Sequence, residues 1–217
     1  MPINIKTKIL FIHIPKCSGT YINNLLNLKN PILYSNNHSR DYANLGRTLQ
    51  HYPLSHIIDI TNSLKINIRD YYIFTIVRNP YTRFISAYMQ YPTKCNKEFK
   101  EMINNRNLID FVFFLKKKVE KEGYNFFKFG SYHQFQPMSD YINNSKQKID
   151  IIKLDDGNYN RKIMEICKKS RNKYNNNKLN MGNGKNDVQY YLNNKTFLSC
   201  INYIYKEDFI KFNYNVI

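Results

Sequence analysis

Two stretches of this chain carry residues that could together grip phosphate. The first is Ile14-Pro15-Lys16-Cys17-Ser18-Gly19-Thr20. The second is Val77-Arg78-Asn79-Pro80-Tyr81-Thr82-Arg83-Phe84-Ile85-Ser86-Ala87-Tyr88. Lys16 offers a compact cation, and Ser18 and Thr20 offer hydroxyls beside a glycine. Arg78 offers a planar fork of donors, and Ser86 a small hydroxyl eight residues later. Five histidines, at 13, 38, 51, 56 and 133, supply groups that exchange protons near neutral pH.

The flanking residues predict what must hold these groups in place. Lys8 to Ile14 is almost wholly apolar, as in a parallel strand buried on both faces. Pro15 stops the ladder, Ser18 to Thr20 read as a flexible turn, and Ile22, Leu25 and Leu26 share one face of a following helix. Tyr72 to Val77 predicts a second strand. Asn79-Pro80 breaks it, and Phe84, Ile85 and Tyr88 form the apolar stripe of the next helix. A strand feeding a helix through a polar turn aims backbone N–H groups at one point, a common way to hold an anion. Arg83 reads as part of a solvated helix face.

Further helices are predicted at 54–64, with Ser55 as cap, at 108–120, near 161–169, and as one long closing helix at 196–212. A third strand is predicted at 149–154. The stretch 172–187 is rich in Asn and Lys and contains Gly182 and Gly184. It reads as a flexible basic loop or as a lid whose Lys185 contacts phosphate. The fold class expected is a single α/β domain over residues 1–217, three-layered and P-loop-like, with a central parallel sheet flanked by helices.

The first corner is not the NTPase loop G-x-x-x-x-G-K-[ST], because Lys16 precedes Gly19 instead of following a glycine. Asp155-Asp156 is the one acidic strand end that could hold magnesium, and it is not a convincing one. A transferring phosphoryl group carries negative charge that metal ions usually help neutralise. A transferring sulfuryl group, SO3, is formally neutral, so a lysine, hydroxyls and amides could suffice.

The pair of motifs resembles the two nucleotide-binding motifs of the carbohydrate sulfotransferase superfamily. The similarity is closest to the heparan 2-O- and chondroitin-type group and its bacterial and viral relatives. Weaker similarity covers 50–53, 133–141 and 203–214. The resemblance implies 3′-phosphoadenosine 5′-phosphosulfate (PAPS) as co-substrate, without a metal. It implies that Lys16, Cys17, Ser18, Gly19 and Thr20, with the adjoining Tyr21, wrap the 5′-phosphosulfate, and that Arg78 and Ser86 bind the 3′-phosphate. It favours His51 as the base that deprotonates an acceptor hydroxyl, with His56, His133 or a carboxylate as alternatives. Lys16 would then also be catalytic, meeting the leaving phosphate. Cys17-Ser18 departs from the Gly or Thr frequent there but keeps a small residue and a hydroxyl. His13 reads as packing.

Composition bounds the partners. The 33 Lys and Arg against 16 Asp and Glu give a formal charge of +17, which favours anions such as PAPS or an acidic glycan. The acceptor is expected to be a hydroxyl, on a carbohydrate. Two other readings stand beside this one: a P-loop nucleotide or small-molecule kinase, and a basic nucleic-acid-binding protein. The latter explains the charge but not the two anion corners, and no RNP, zinc-finger or KH signature supports specific nucleic-acid binding. The four cysteines, at 17, 95, 167 and 200, form no CxxC or Cys/His cluster and fit reduced thiols, without excluding one disulfide. No signal peptide or run of about 18 apolar residues is visible, so a cytoplasmic or otherwise soluble chain is expected.

Overall fold

The computed structural model describes residues 2–28, 49–90, 101, 106–128, 130–143, 146–170 and 185–217. His38, Cys95 and the 172–184 part of the basic loop lie outside these residues. The fold is mixed α/β. A single sheet carries β1 (Ile3–Asn4), β2 (Ile9–Ile12), β3 (Tyr72–Val77) and β4 (Asp150–Lys153) in that order. β1 is antiparallel to β2, and β2, β3 and β4 run parallel.

β2 is wholly buried and β3 nearly so, which is why neither alternates apolar with polar residues. Thr75 is the polar exception. Its hydroxyl donates to the Ile12 carbonyl at 2.8 Å, so the sheet satisfies it internally. The three predicted strands appear where expected, each trimmed by a residue or more at the ends or matching in full. β1 was not foreseen, because two residues show no periodicity.

Eight helices form among the described residues: α1 (Gly19–Leu25), α2 (Leu54–Ser63), α3 (Pro80–Gln90), α4 (Leu108–Glu122), α5 (Tyr159–Lys169), α6 (Lys185–Leu192), α7 (Lys195–Ile204) and α8 (Lys206–Lys211). The cap position of α2 is Pro53, not Ser55. The Ser55 hydroxyl instead lies 3.3 Å from His56 Nδ1. α4 is capped by Asn107, whose side-chain oxygen accepts from the Asp110 N–H at 2.9 Å.

The chain divides into two compact units. The first is Met1–Arg78 with Asp140–Leu179, holding the sheet, α1, α2 and α5. The second is Asn79–Ser139 with Asn180–Ile217, holding α3, α4, α6, α7 and α8. The second unit is built on aromatics: Phe84 and Phe111 each meet Phe135, with centroids 5.2 and 5.0 Å apart.

Two expectations fail in this unit, for one physical reason. The closing helix is broken at Tyr205, which ends α7 and begins α8 with φ near −110°. Arg83 is not solvated but 1% exposed. Its Nη2 donates to the carbonyls of Gln134 (3.2 Å) and Gln136 (2.8 Å). The Tyr205 hydroxyl donates to the Phe135 carbonyl, and buried Asp208 accepts from the N–H groups of Met138 and Ser139. Buried polar groups must find partners, and the irregular segment 134–139 finds its own in Arg83, Tyr205 and Asp208. The break at Tyr205 places Tyr205 and Asp208 against that segment.

Burial pushes the Asp208 carboxyl up to about 6, against the pull of Arg83 and of the N–H groups it accepts from. Its folded pKa is raised above the unfolded value, so its contribution to stability is fully present below about 4 and is lost as pH rises through about 6. In Asp208→Asn an amide NH2 faces one of the two backbone donors, at a cost of about 1–3 kcal/mol. The melting temperature of the variant is expected to lie below that of the native chain at pH 7.5. The gap is expected to widen as pH falls from 6 to 4 in a thermal-melt series. A gap that narrows over that range contradicts the assignment.

Candidate active site

β2 delivers the first corner. After Ile12 the chain passes His13 and Ile14, and a turn closes with the Cys17 N–H donating to the Ile14 carbonyl at 3.4 Å. Lys16 (φ 67°) and Ser18 (φ 63°) both adopt the left-handed conformation, which costs an L-residue about 1–2 kcal/mol. Strain of this kind is tolerated where the backbone is needed in one particular orientation. Ser18 stands at the cap position of α1, yet its hydroxyl makes no capping bond. Lys16 and Ser18 are half-buried and Thr20 is exposed. Tyr21 is half-buried on α1. Cys17 is fully buried, which fits a small residue filling the turn.

Gly19 is not part of a flexible turn. It opens α1, and a Cβ built on it would fall 1.7 Å from His13 Nε2. The glycine is required by close approach to that ring. His13 is 5% exposed and stacks on Phe11, with centroids 5.5 Å apart. The Asn23 amide lies 3.3 Å from His13 Nδ1 and donates to it, which leaves the His13 proton on Nε2. Burial holds the imidazole down to about 4, so it is neutral at physiological pH. A depressed histidine contributes stability that is full above about 6.5 and lost as pH falls through about 4.

His51 closes this cluster from the single 3-10 turn Leu49–His51. Its Nδ1 lies 3.1 Å from the His13 carbonyl oxygen, and its ring centroid is 4.4 Å from that of His13. A carbonyl only accepts, so Nδ1 carries the proton. The Gln50 amide, 3.2 Å from Nε2, donates to it. His51 is therefore held as the tautomer whose Nε2 lone pair can take a proton. Sequence reasoning missed Asn23 and Gln50. Asn23 was detectable as a polar residue one turn after Gly19, between Ile22 and Leu26.

β3 delivers the second corner. Because β2 and β3 run parallel, with Ile12 opposite Thr75, both turns leave the sheet at its C-terminal edge, where open α/β sheets place ligands. Arg78 follows β3 directly and is half-buried. The Leu154 N–H donates to the Val77 carbonyl at 2.8 Å, fixing the strand end beside it. Asn79 then caps α3, its side-chain oxygen accepting from the Tyr81 N–H at 3.0 Å, with Pro80 as the first helical residue. Ser86 is half-buried on α3, in the second unit. Lys185 begins α6 and is described by its backbone alone.

Of the alternative bases, His56 is half-buried on α2, with its ring 6.0 Å from that of Tyr52. His133 belongs to the second unit, where its Nδ1 donates to the Gly130 carbonyl at 2.6 Å. Neither is shown against the first corner. Asp156 serves a local turn: its carboxylate accepts from the Asn158 N–H, which holds it below the usual range. Among the described residues, no three His, Cys, Asp or Glu side chains gather as metal ligands, and no helix is long and apolar enough to cross a membrane.

A mixed α/β fold with a four-stranded, mostly parallel sheet and a turn leading from β2 into α1 is consistent with a P-loop-like fold. The chain matches the sulfotransferase family over residues 2–215 and belongs to that family. No curated protein and no solved structure matches it.

Proposed function

We propose that this sulfotransferase moves the sulfuryl group of PAPS to the hydroxyl of a carbohydrate, with residues 1–217 serving as one catalytic domain. The observation that carries the reading is the hydrogen bond from His51 Nδ1 to the His13 carbonyl. It supports His51 as the base by holding the ring against His13, three residues before Lys16, and by leaving Nε2, which accepts from Gln50 at rest, as the nitrogen that takes the proton. In this reading His51 takes the acceptor's proton as a new S–O bond forms. The bond between sulfur and the phosphate oxygen breaks, and Lys16 meets the negative charge left on that oxygen. Ser18, Thr20 and the turn's N–H groups hold the phosphosulfate, with Cys17, Gly19 and Tyr21 completing the wrap. Arg78 takes the 3′-phosphate, Ser86 is assigned to it by the resemblance of the second motif, and Lys185 by the reading of the 172–187 stretch as a lid. The charge of +17 supports an anionic glycan as acceptor.

Calorimetric titration with PAP, the 3′,5′-bisphosphate product, tests the donor. PAP is expected to bind in the presence of a metal chelator and to be unaffected by competing duplex DNA. Binding of ATP that requires magnesium, with PAP ignored, supports a kinase instead. Salt-sensitive duplex binding that PAP does not displace supports a nucleic-acid-binding protein.

A further inference from the structure

We infer that His13 is a positioning residue for sulfuryl transfer, whose ring sets the depth of the Lys16 turn while its carbonyl orients His51. The inference rests on the assignment of His51 as base.

Three independent features meet at this one residue. Its main-chain oxygen accepts from His51 Nδ1, so any shift of His13 re-aims the base. Its ring nitrogen Nε2 is the atom closest to where a Gly19 Cβ would stand, so the ring fixes how near α1 and its preceding turn can approach β2. Its Nδ1 accepts from Asn23, one helical turn beyond Gly19, so the same helix face is held at two points. Phe11 stacks on the ring and prevents it from retreating. Among the described residues, His51 is the titratable side chain against the ring, beside Asn23, Phe11 and Gly19, and the positive charge of the chain's amino terminus adds to burial in keeping the ring neutral.

The chemistry requires this wedge to be uncharged. A cationic His13 would lose the Nδ1 lone pair that Asn23 donates to, and would set a positive charge 4.4 Å, ring to ring, from the imidazole that must accept a proton. Burial keeps His13 neutral down to about 4. The ring can then lie under an anion-binding turn without exchanging protons with the reaction.

Nitrogen-15 spectra of the native chain test the resting state. His13 is expected as the Nε2–H tautomer and His51 as the Nδ1–H tautomer, with His13 not titrating between pH 5 and 8. A His13 that titrates there overturns the proposal. Kinetics of His13→Gln and His13→Phe test the role. Each is expected to lower kcat by about 10²-fold, the cost of misplacing a catalytic group by about 1 Å. Each should also shift the acid limb of the pH–rate profile and, because the Lys16 turn loses its support, raise the KM for PAPS. In Gly19→Ala the new methyl forces His13 aside. The double variant Gly19→Ala/His13→Ser is expected to regain PAP binding lost in the single one. Unchanged limbs in folded His13 variants overturn the inference, provided His51→Ala abolishes the limb. If His51→Ala retains the limb, the base assignment itself fails.

Discussion

His51→Ala is expected to lower the transfer rate by about 10²–10⁴-fold, the worth of general base catalysis, while PAP binds as tightly as to the native chain. A hydroxyl is a poor nucleophile until a base takes its proton. His51 has one ring nitrogen committed to the His13 carbonyl and the other presented as an acceptor. It lies outside both phosphate corners, so its loss leaves the nucleotide contacts in place. The pH–rate profile is expected to lose its acid limb in the variant, because the group whose protonation stops the reaction is gone. Transfer that survives His51→Ala but not His56→Ala or His133→Ala moves the base elsewhere and leaves the sulfotransferase assignment intact. Stopped-flow or steady-state rates with PAP affinities measured alongside decide between these outcomes.

Lys16→Ala and Arg78→Ala are expected to fail in opposite ways. Lys16 sits in the strained turn, and in the proposed reaction its charge meets a phosphate oxygen that grows more negative as the S–O bond breaks. Its loss should reduce kcat far more than PAP affinity. Arg78 stands at the end of β3, and in the proposed reaction it holds a phosphate whose charge does not change. Its loss should weaken PAP and PAPS alike by about 1.5–3 kcal/mol, the worth of a charge-assisted hydrogen bond, and change kcat little. The split is read by comparing kcat with the dissociation constant of PAP for each variant. Equal losses in both quantities for both variants contradict the division of roles.

The strands were legible because a strand buried on both faces must be almost wholly apolar, and Ile9–Ile12 and, Thr75 apart, Tyr72–Val77 are. The two corners were legible because proline and glycine punctuate the chain where the strands end. What the sequence hid was of another kind. Arg83 looked solvated because charge usually is, yet it falls on the buried arc of α3 with Pro80, Phe84 and Ala87. The apolar spacing of 196–212 continues smoothly through Tyr205, so the break there is set by the distant segment 134–139 and by no local signal. Gly19 read as a flexible hinge. Only the tertiary contact with His13 shows that the missing side chain, not backbone freedom, is what the site requires. The cluster His13, Asn23, Gln50 and His51 joins three separate stretches, and spacing along the chain does not reveal such a meeting.

Transfer of labelled sulfur from PAPS tests the central claim most directly. The full chain, a metal chelator and sulfur-labelled PAPS are incubated with a panel of neutral and acidic glycans, a tyrosine peptide and small alcohols. The account predicts label on a glycan hydroxyl, with equimolar release of PAP and no dependence on added metal. Label that reaches no hydroxyl acceptor, while the chain is folded and binds PAP, contradicts it.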